Sequence, residues 1–275
     1  MDKQVLIAFS LTLFAGLSTG IGSAIAFFAR RTNTLFLSVS LGFSAGVMIY
    51  VSFVELFVDA VQILSELHGS GQGTFCATLG FFGGVLFIML VDLLVPKKDN
   101  PHEMWRVEDI SRSGSKGGFP VSENSGLLRV GWVTALVLAI HNFPEGMVTF
   151  LAALKDVNVA IPIAVAIAIH NIPEGIAVSV PVYYATGNRR KSFWLSFLSG
   201  LAEPAGAAIG YLILAPFLNG NMFGIIFAAI AGIMVFISLD ELLPAAEEYG
   251  KHHQAIYGLI GGMAVMAFSL LLFDK

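Results

Sequence analysis

The sequence predicts an all-α polytopic membrane protein with eight transmembrane helices, and three observations lead to that prediction. Hydrophobic residues make up 56% of the 275 residues, charged residues make up 12%, and the mean hydropathy is +0.80. Soluble domains carry about 25% charged residues, so this composition argues against a soluble protein and excludes intrinsic disorder. The apolar segments are long and unbroken, whereas strands of a membrane β-barrel alternate over about ten residues. Finally, the first segments of the chain resemble the last ones.

Eight apolar segments are long enough to cross the roughly 30 Å hydrocarbon core of a bilayer as helices. They cover approximately residues 4–29, 35–66, 74–95, 129–154, 158–184, 192–214, 221–247 and 254–273. Between the third and fourth segments the chain is rich in charged residues, serine and glycine, a composition that does not form a packed core. We therefore predict a single transmembrane domain over residues 1–275, with a flexible loop at about 96–128.

The distribution of basic residues predicts the orientation in the membrane. Twelve of the 15 lysine and arginine residues fall on the side of the long loop, and Lys3, Lys155 and Lys275 fall on the other side. Basic flanks stay in the cytoplasm. We therefore expect a multi-pass protein of the plasma (inner) membrane with both termini outside and the 96–128 loop in the cytoplasm. The first segment lacks a strong basic flank before it and is predicted to be a retained span, not a cleaved signal.

A long-range repeat relates the two ends of the chain. Residues 45–56 and 231–242 are identical at six of 12 positions, at a constant offset of 186 residues. Weaker matches relate the first segment to the sixth and the third to the eighth. Repeats five spans apart have opposite orientations, and inverted repeats with a binding site at their interface are typical of transporters. The alternative is shared small-residue packing, but Ser52/Ser238 and Glu55/Glu241 are not packing residues.

A second repeat lies inside the fourth and fifth segments. Residues 141–146 read His-Asn-Phe-Pro-Glu-Gly and residues 170–175 read His-Asn-Ile-Pro-Glu-Gly. Each histidine lies about 12 residues into its segment, which places it near the middle of the bilayer. The two motifs are therefore expected at the same depth, on antiparallel neighbouring helices.

The duplicated motif supplies the donors of a metal site. His and Glu four residues apart share one helix face, and the proline between them removes a backbone N–H and frees a carbonyl one turn earlier. Two such helices bring together two imidazoles, two carboxylates and two amides, a nitrogen and oxygen set that suits Zn, Fe, Mn, Co or Ni. Two ions could share the carboxylates. The alternative is a pair of His–Glu packing motifs, which the duplication at one depth disfavours.

Several other polar residues are candidates for the same chemistry. Glu203, which precedes Pro204 in mid-span, is expected to be a further ligand. A route to the centre could be lined by Met48, Glu55, Asp59, Asp240 and Glu241, although interfacial solvation or helix capping also explains the acidic ones, and methionine usually fills gaps. The histidines of the loops, which could hand on or sense metal or could simply be solvated, are His102, His252 and His253.

The charge inventory predicts the sign of the substrate. The spans contain several carboxylates and no interior lysine or arginine, so the carboxylates must be protonated or neutralised by a cation. An anion route would need the opposite lining. A net charge of −4 does not suggest a nucleic-acid partner. The single cysteine, Cys76, excludes a disulfide framework and a cysteine-rich metal site.

These features resemble the ZIP family of divalent-metal transporters, and within it the bacterial ZupT-like branch. The resemblance rests on the paired His-Asn-x-Pro-Glu-Gly motifs, on Leu-Ala-Glu-Pro at 201–204 and on eight spans with outside termini, and it covers nearly the whole chain outside the 96–126 loop. It implies a 3+2+3 bundle in which inverted helix triplets flank helices four and five. It also implies transport into the cytoplasm. Dimers are common in the family, which makes a homodimer one candidate assembly.

The resemblance further implies a binuclear centre. By motif position, the first site would use His141, Glu145, His170 and Glu174. The second site would use Asn142, Glu145, Asn171, Glu174 and Glu203. Many family members have a His-rich cytoplasmic loop, whereas this loop contains only His102, which puts loop-based metal sensing in doubt.

We therefore expect a transporter in the lipid bilayer, not an enzyme and with no bound cofactor, that imports Zn²⁺ and also Fe²⁺, Mn²⁺, Co²⁺ or Cd²⁺. Two alternatives stay open on the sequence. One is an intramembrane metalloenzyme with a water-activating base beside an open metal position. The other is a proton or monovalent-cation channel.

Overall fold

The computed structural model describes residues 3–28, 34–94, 139–140, 142–186, 188–214 and 219–273, and every regular element within these ranges is helical. The first half contains α1 (Lys3–Phe28), α2 (Thr34–Val51), a π turn (Ser52–Leu56), α3 (Phe57–His68) and α4 (Ser70–Leu94). The turn between α3 and α4 needs a glycine, because Gly69 has a φ of 85°. The predicted loop at 96–128 lies outside the described residues.

The second half begins with α5 (142–155) and continues with α6 (Val157–Thr186), α7 (Arg189–Gly200) and α8 (Ala202–Leu214). The last elements are α9 (Gly220–Ile237), a second π turn (Ser238–Leu242), α10 (Leu243–Tyr249) and α11 (His252–Phe273). Asparagine side chains cap α7 and α9: Asn188 Oδ1 accepts from Lys191 N at 3.1 Å, and Asn219 Oδ1 accepts from Met222 N at 3.0 Å.

Six of the predicted spans are recovered as helices that are long and apolar enough to cross a membrane. Within the described ranges they are Lys3–Ala24, Thr34–His68, Ser70–Leu93, Val157–Ile176, Gly220–Glu248 and His252–Leu272. The predicted segment 129–154 is helical from 142 onward, and its residues before 139 lie outside the description. The predicted segment 192–214 is interrupted at Leu201, which separates α7 from α8. The chain is therefore a multi-pass helical membrane protein.

Both copies of the long-range repeat contain a π turn. The turns span Ser52–Leu56 and Ser238–Leu242, and they are separated by the same offset of 186 residues as the sequence match. In each copy a longer helix enters the turn and a shorter helix leaves it. Single π turns inside α-helices are frequent at functional sites. Both copies of the repeat thus depart from ideal helix at matching positions.

The helices pack as two groups. The α6 group consists of α1, α5, α6, α7 and α8, and in it α1 packs against α6, α7 and α8. Within it, Phe150 of α5 lies 4.7 Å from Phe9 of α1 and 5.4 Å from Tyr211 of α8, measured between ring centroids. The α2 group consists of α2, α3, α4, α9, α10 and α11. In it α2 packs against α10 and α11, and α9 packs against α3 and α4. Contacts of α6 with α2 and α11 join the two groups.

The alternation of the helices defines two ends of the bundle. The terminal face carries Lys3, the α3–α4 turn, the α5–α6 turn and the start of α9. The loop face carries the end of α4, the start of α7 and the start of α11. Apolar side chains between the faces are exposed, among them Phe82 at 62% and Phe268 at 68%. Such exposure is expected where lipid, not water, surrounds the protein.

Candidate metal centre

A cluster of three ionisable side chains lies buried between α5 and α6. Glu145, His170 and Glu174 each offer a ligand atom, and these atoms all lie within 4.8 Å of one another. The glutamate and histidine of neighbouring helices touch directly, since His170 Nε2 lies 3.2 Å from Glu145 Oε1. The three residues are between 0% and 1% exposed. We name these three residues the carboxylate–histidine cluster.

The local fold explains how the motifs deliver these side chains. His170 and Glu174 are four residues apart in α6, so both point to one side of that helix. The helix continues through Pro173, so the proline does not end it. Glu145 comes from the first motif, in α5. Two motifs on two helices thus converge on one buried point.

The glycine that ends each motif lets a neighbouring helix approach. A Cβ added to Gly146 would lie 2.0 Å from the carbonyl oxygen of Glu203, and one added to Gly175 would lie 2.2 Å from the carbonyl oxygen of Thr19. Any side chain at these positions would push α5 away from α8, or α6 away from α1. The sequence shows these glycines in both motifs, but their role depends on neighbours that are distant in the chain.

The two asparagines of the motifs are buried, and Asn171 lies beside a third carboxylate, that of Glu203. Asn171 Nδ2 donates to Ala15 O at 3.0 Å and also to Glu203 Oε1. Asn142 Nδ2 donates to Ser199 O at 3.3 Å. Within the described ranges neither amide oxygen has a hydrogen-bond partner, although both side chains are at most 1% exposed. The amide groups are therefore anchored through nitrogen, which leaves two buried oxygens able to accept a donor or a cation.

The remaining predicted residues lie elsewhere or outside the description. His141 and His102 fall outside the described residues. Met48 is fully buried in α2, Glu55 is half-buried in the first π turn, and the second π turn holds exposed Asp240 and half-buried Glu241. Asp59 is in α3, where it forms an ion pair with Lys155. On the loop face, His252 Nδ1 lies 2.6 Å from Glu247 Oε1, and His253 is its neighbour.

Sequence reasoning missed Ser44. Its Oγ donates to the carbonyl oxygen of His170 at 3.1 Å and thereby ties α2 to α6 beside the cluster. Ser44 is fully buried. The one signal in the sequence is a hydroxyl immediately before the repeated stretch 45–56, and serine is too frequent in membrane helices for that signal to stand alone.

The electrostatics of the cluster favour a cation. Buried residues of the described ranges include three glutamates and a histidine but no lysine or arginine. Carboxylates in a low-dielectric interior must be protonated, paired with a donor or neutralised by a cation. Two ligand atoms on one tetrahedral Zn²⁺ lie about 3.4 Å apart, given bonds of about 2.1 Å. The 3.2 Å between His170 Nε2 and Glu145 Oε1 is a hydrogen-bond distance that is also close to this separation.

Comparisons with known proteins agree with this chemistry. The model of the family described as ZIP Zinc transporter matches residues 97–270, which is more than half of the chain. The chain is 61% identical over 272 residues to "Zinc transporter ZupT" of Lysinibacillus sphaericus, with 99% of both chains covered. It is 58% identical over 273 residues to the protein of the same name in Streptococcus mutans, covering 99% of this chain and 100% of that one. For the Clostridium perfringens protein of that name, identity is 57% over 277 residues, with 98% and 97% covered. The chain belongs to the ZIP zinc transporter family.

Proposed function

We propose that this protein imports Zn²⁺ into the cytoplasm through the carboxylate–histidine cluster. The observation that carries the proposal is the convergence of Glu145, His170 and Glu174, fully buried and within 4.8 Å of one another, inside a membrane-spanning bundle. Intramembrane ionisable groups of this kind mark ion pathways. Since the chain belongs to a family of transporters, the protein is a transporter and not an enzyme, and the metalloenzyme alternative is set aside.

The centre holds two ions in this proposal. The first ion binds His141, Glu145, His170 and Glu174, and the second binds Asn142, Glu145, Asn171, Glu174 and Glu203. The anchored amides of Asn142 and Asn171 support the second site, because both oxygens are buried and both nitrogens are already used. Glu145 and Glu174 bridge the two ions, which offsets the charge of both carboxylates.

Binding at this depth suits alternating access. An ion that enters the cluster exchanges its water ligands for the fixed imidazole, carboxylates and amides. Its charge therefore stays compensated in the interior of the bilayer. The route from the terminal face passes Met48, Glu55 and Asp59, and the route to the loop face passes Asp240 and Glu241. Nitrogen and oxygen ligands also accept Fe²⁺, Mn²⁺, Co²⁺ and Cd²⁺, which we include among the substrates.

The proposed architecture has eight helices in a 3+2+3 arrangement within one domain over residues 1–275. The matching π turns of the two repeat copies support the inverted triplets. Both termini lie outside the plasma membrane and the loop at 96–128 lies in the cytoplasm, because basic residues concentrate on the loop side. A homodimer is the assembly to be tested first.

Zinc uptake by proteoliposomes tests the proposal. Glu174→Gln keeps the shape of the side chain but removes its charge, and His170→Ala removes the imidazole, so each is expected to reduce uptake by at least about tenfold, the effect of losing roughly 1.4 kcal/mol of ion binding. Matched controls are Glu66→Gln and His68→Ala, both exposed residues at the end of α3. These controls should transport like the parent protein.

Full uptake by both cluster variants would contradict the proposal. Conductance of protons or Na⁺ that survives the loss of His170 and is insensitive to Zn²⁺ would favour the channel alternative instead. Competition of unlabelled metals against zinc uptake ranks the divalent substrates, which share the same donor chemistry.

A further inference from the structure

An ion pair joins the two helix groups at the terminal face. Lys155 Nζ, at the end of α5 in the α6 group, lies 2.6 Å from Asp59 Oδ2 in α3 of the α2 group. The two side chains are 40% and 19% exposed, so the pair is partly exposed. The residues are 96 positions apart in the chain. The contact therefore depends on how the two helix groups pack against each other.

The lysine end of this pair is held in place by a separate contact. Gln4 Nε2, at the start of α1, donates to the carbonyl oxygen of Leu154 at 2.8 Å. The following residue, Asp156, turns the chain into α6, where its Oδ1 accepts from the backbone N–H of Asn158 at 2.8 Å. Lys155 thus projects from a fixed corner of the α6 group toward the α2 group. A cation at a helix C-terminus is also favoured by the helix dipole.

The other end of the same interface is the buried cluster. Ser44 of α2 bonds to the carbonyl oxygen of His170. Ser44 and Asp59 are 15 residues apart on one continuous helical stretch, which corresponds to about 22 Å along its axis. Within the described ranges, the Ser44 hydrogen bond beside the cluster and the Asp59–Lys155 ion pair at the terminal face both link the two groups, and Met48, Ser52 and Glu55 lie between them along the chain.

We propose that the Asp59–Lys155 pair is a latch that holds the two helix groups together at the terminal face and so closes that face to the cluster. The inference rests on the proposed import function, in which this face receives the metal. A partly exposed ion pair is weak and is screened by salt, so it can break and reform during each cycle. A divalent cation that approaches Asp59 competes with the lysine ammonium for the carboxylate, which couples arrival of the substrate to release of the latch.

Distance measurements between spin labels test the latch directly. In a background in which the single cysteine is replaced, Cys76→Ser, labels are attached at Gln72→Cys in α4 and Asn158→Cys in α6, two exposed positions at the terminal face in different groups. Pulsed electron spin resonance on the full chain in lipid nanodiscs then gives the distribution of distances between the two labels. From it follows the ratio of long distances, with the terminal face open, to short distances, with that face closed. Lys155→Gln and Asp59→Asn should each raise that ratio by about two- to fivefold, the effect expected for loss of a partly exposed ion pair.

Matched variants distinguish the effect of losing the ion pair from the effect of losing one charge at the same face. Lys3→Gln removes a lysine at the same face and Glu66→Gln removes an acid from the same helix as Asp59, and neither should change the ratio. The charge-swapped double variant Asp59→Lys with Lys155→Asp should return it to the parent value. Raising the salt concentration should increase the ratio in the parent protein but not in Lys155→Gln.

An unchanged distance distribution in both Lys155→Gln and Asp59→Asn would overturn the latch. So would a charge-swapped double variant whose ratio of long to short distances stays as high as in the single variants. Glu174→Ala in the labelled protein keeps the two proposals apart. It should abolish zinc uptake and leave the response to Lys155→Gln intact. If uptake survives Glu174→Ala, the proposed function fails whatever the labels report, and if the labels do not respond while uptake is lost, only the latch fails.

Discussion

Asn171 shows how one residue can serve two parts of the centre. Its side-chain nitrogen bonds to the carbonyl oxygen of Ala15 in α1 and to the carboxylate of Glu203 in α8, and its oxygen stays available in a fully buried position. The side-chain nitrogen fixes the orientation of the amide through these two bonds. The side-chain oxygen is then able to bind a cation. An aspartate would lose the donors, and an alanine would lose both ends.

Replacing Asn171 with alanine should therefore destabilise the protein even without metal. The carbonyl oxygen of Ala15 and the carboxylate of Glu203 would each lose a buried donor, which costs about 1–3 kcal/mol. The thermal midpoint in detergent should fall by several degrees. The control is Asn158→Ala, because Asn158 is exposed and its cap contact uses the backbone N–H. Equal midpoints for the two variants would contradict this account of Asn171.

At the scale of single elements, close contact between helices depends on glycine. On α4 two adjacent glycines differ sharply: a Cβ on Gly84 would lie 1.9 Å from the carbonyl oxygen of Ala229 in α9, whereas a Cβ on Gly83 would meet nothing within 4 Å. Backbone carbonyls cannot move aside cheaply, because they belong to the hydrogen-bond ladder of the helix. Small residues at such crossings let membrane helices pack backbone to backbone.

The adjacent pair gives a controlled test. Gly84→Ala should force α4 away from α9 and destabilise the fold by about 1–3 kcal/mol, the usual range for overpacking. Gly83→Ala should be neutral or stabilising by up to about 1 kcal/mol, since alanine favours a helix. Thermal midpoints and the yield of folded protein measure both. A larger loss in Gly83→Ala than in Gly84→Ala would contradict the described packing of α4.

The elements also show what sequence reasoning can reach. Long apolar runs are a local signal, so the span Thr34–His68 and the helix His252–Phe273 fall close to the predicted segments 35–66 and 254–273. The π turns were not predicted, because one extra residue in a helical turn leaves no mark in hydropathy. The break at Leu201 was also missed, since the apolar run continues through it.

At the scale of the whole molecule, the centre lies where the two helix groups meet. The cluster belongs to α5 and α6, and α6 is also the helix that contacts α2 and α11 of the other group. The Ser44 bond to His170 crosses this boundary beside the ligands, and the Asp59–Lys155 pair crosses it at the terminal face. The three ligands of the cluster therefore belong to one helix group and lie next to its boundary with the other.

The sequence identified the members of the cluster because their chemistry is rare in lipid and occurs twice. Glu145, His170 and Glu174 were selected by the duplicated motif and by depth alone, and the structure brings these three together. The partner of Asp59 was not found, because no local pattern relates residues 96 positions apart. The roles of Gly146 and Gly175 were missed for the same reason, since each depends on a helix that is distant in the chain.

Anomalous diffraction from zinc-soaked crystals tests the central claim most directly. Data collected at the zinc absorption edge should show a strong peak within bonding distance of His170 Nε2 and of carboxylate oxygens of Glu145 and Glu174, at about 2.0–2.2 Å. Glu174→Gln crystals treated in the same way should show that peak weakened or lost. Anomalous peaks confined to the surface, with none at the cluster in the parent protein, would contradict metal binding by these buried residues.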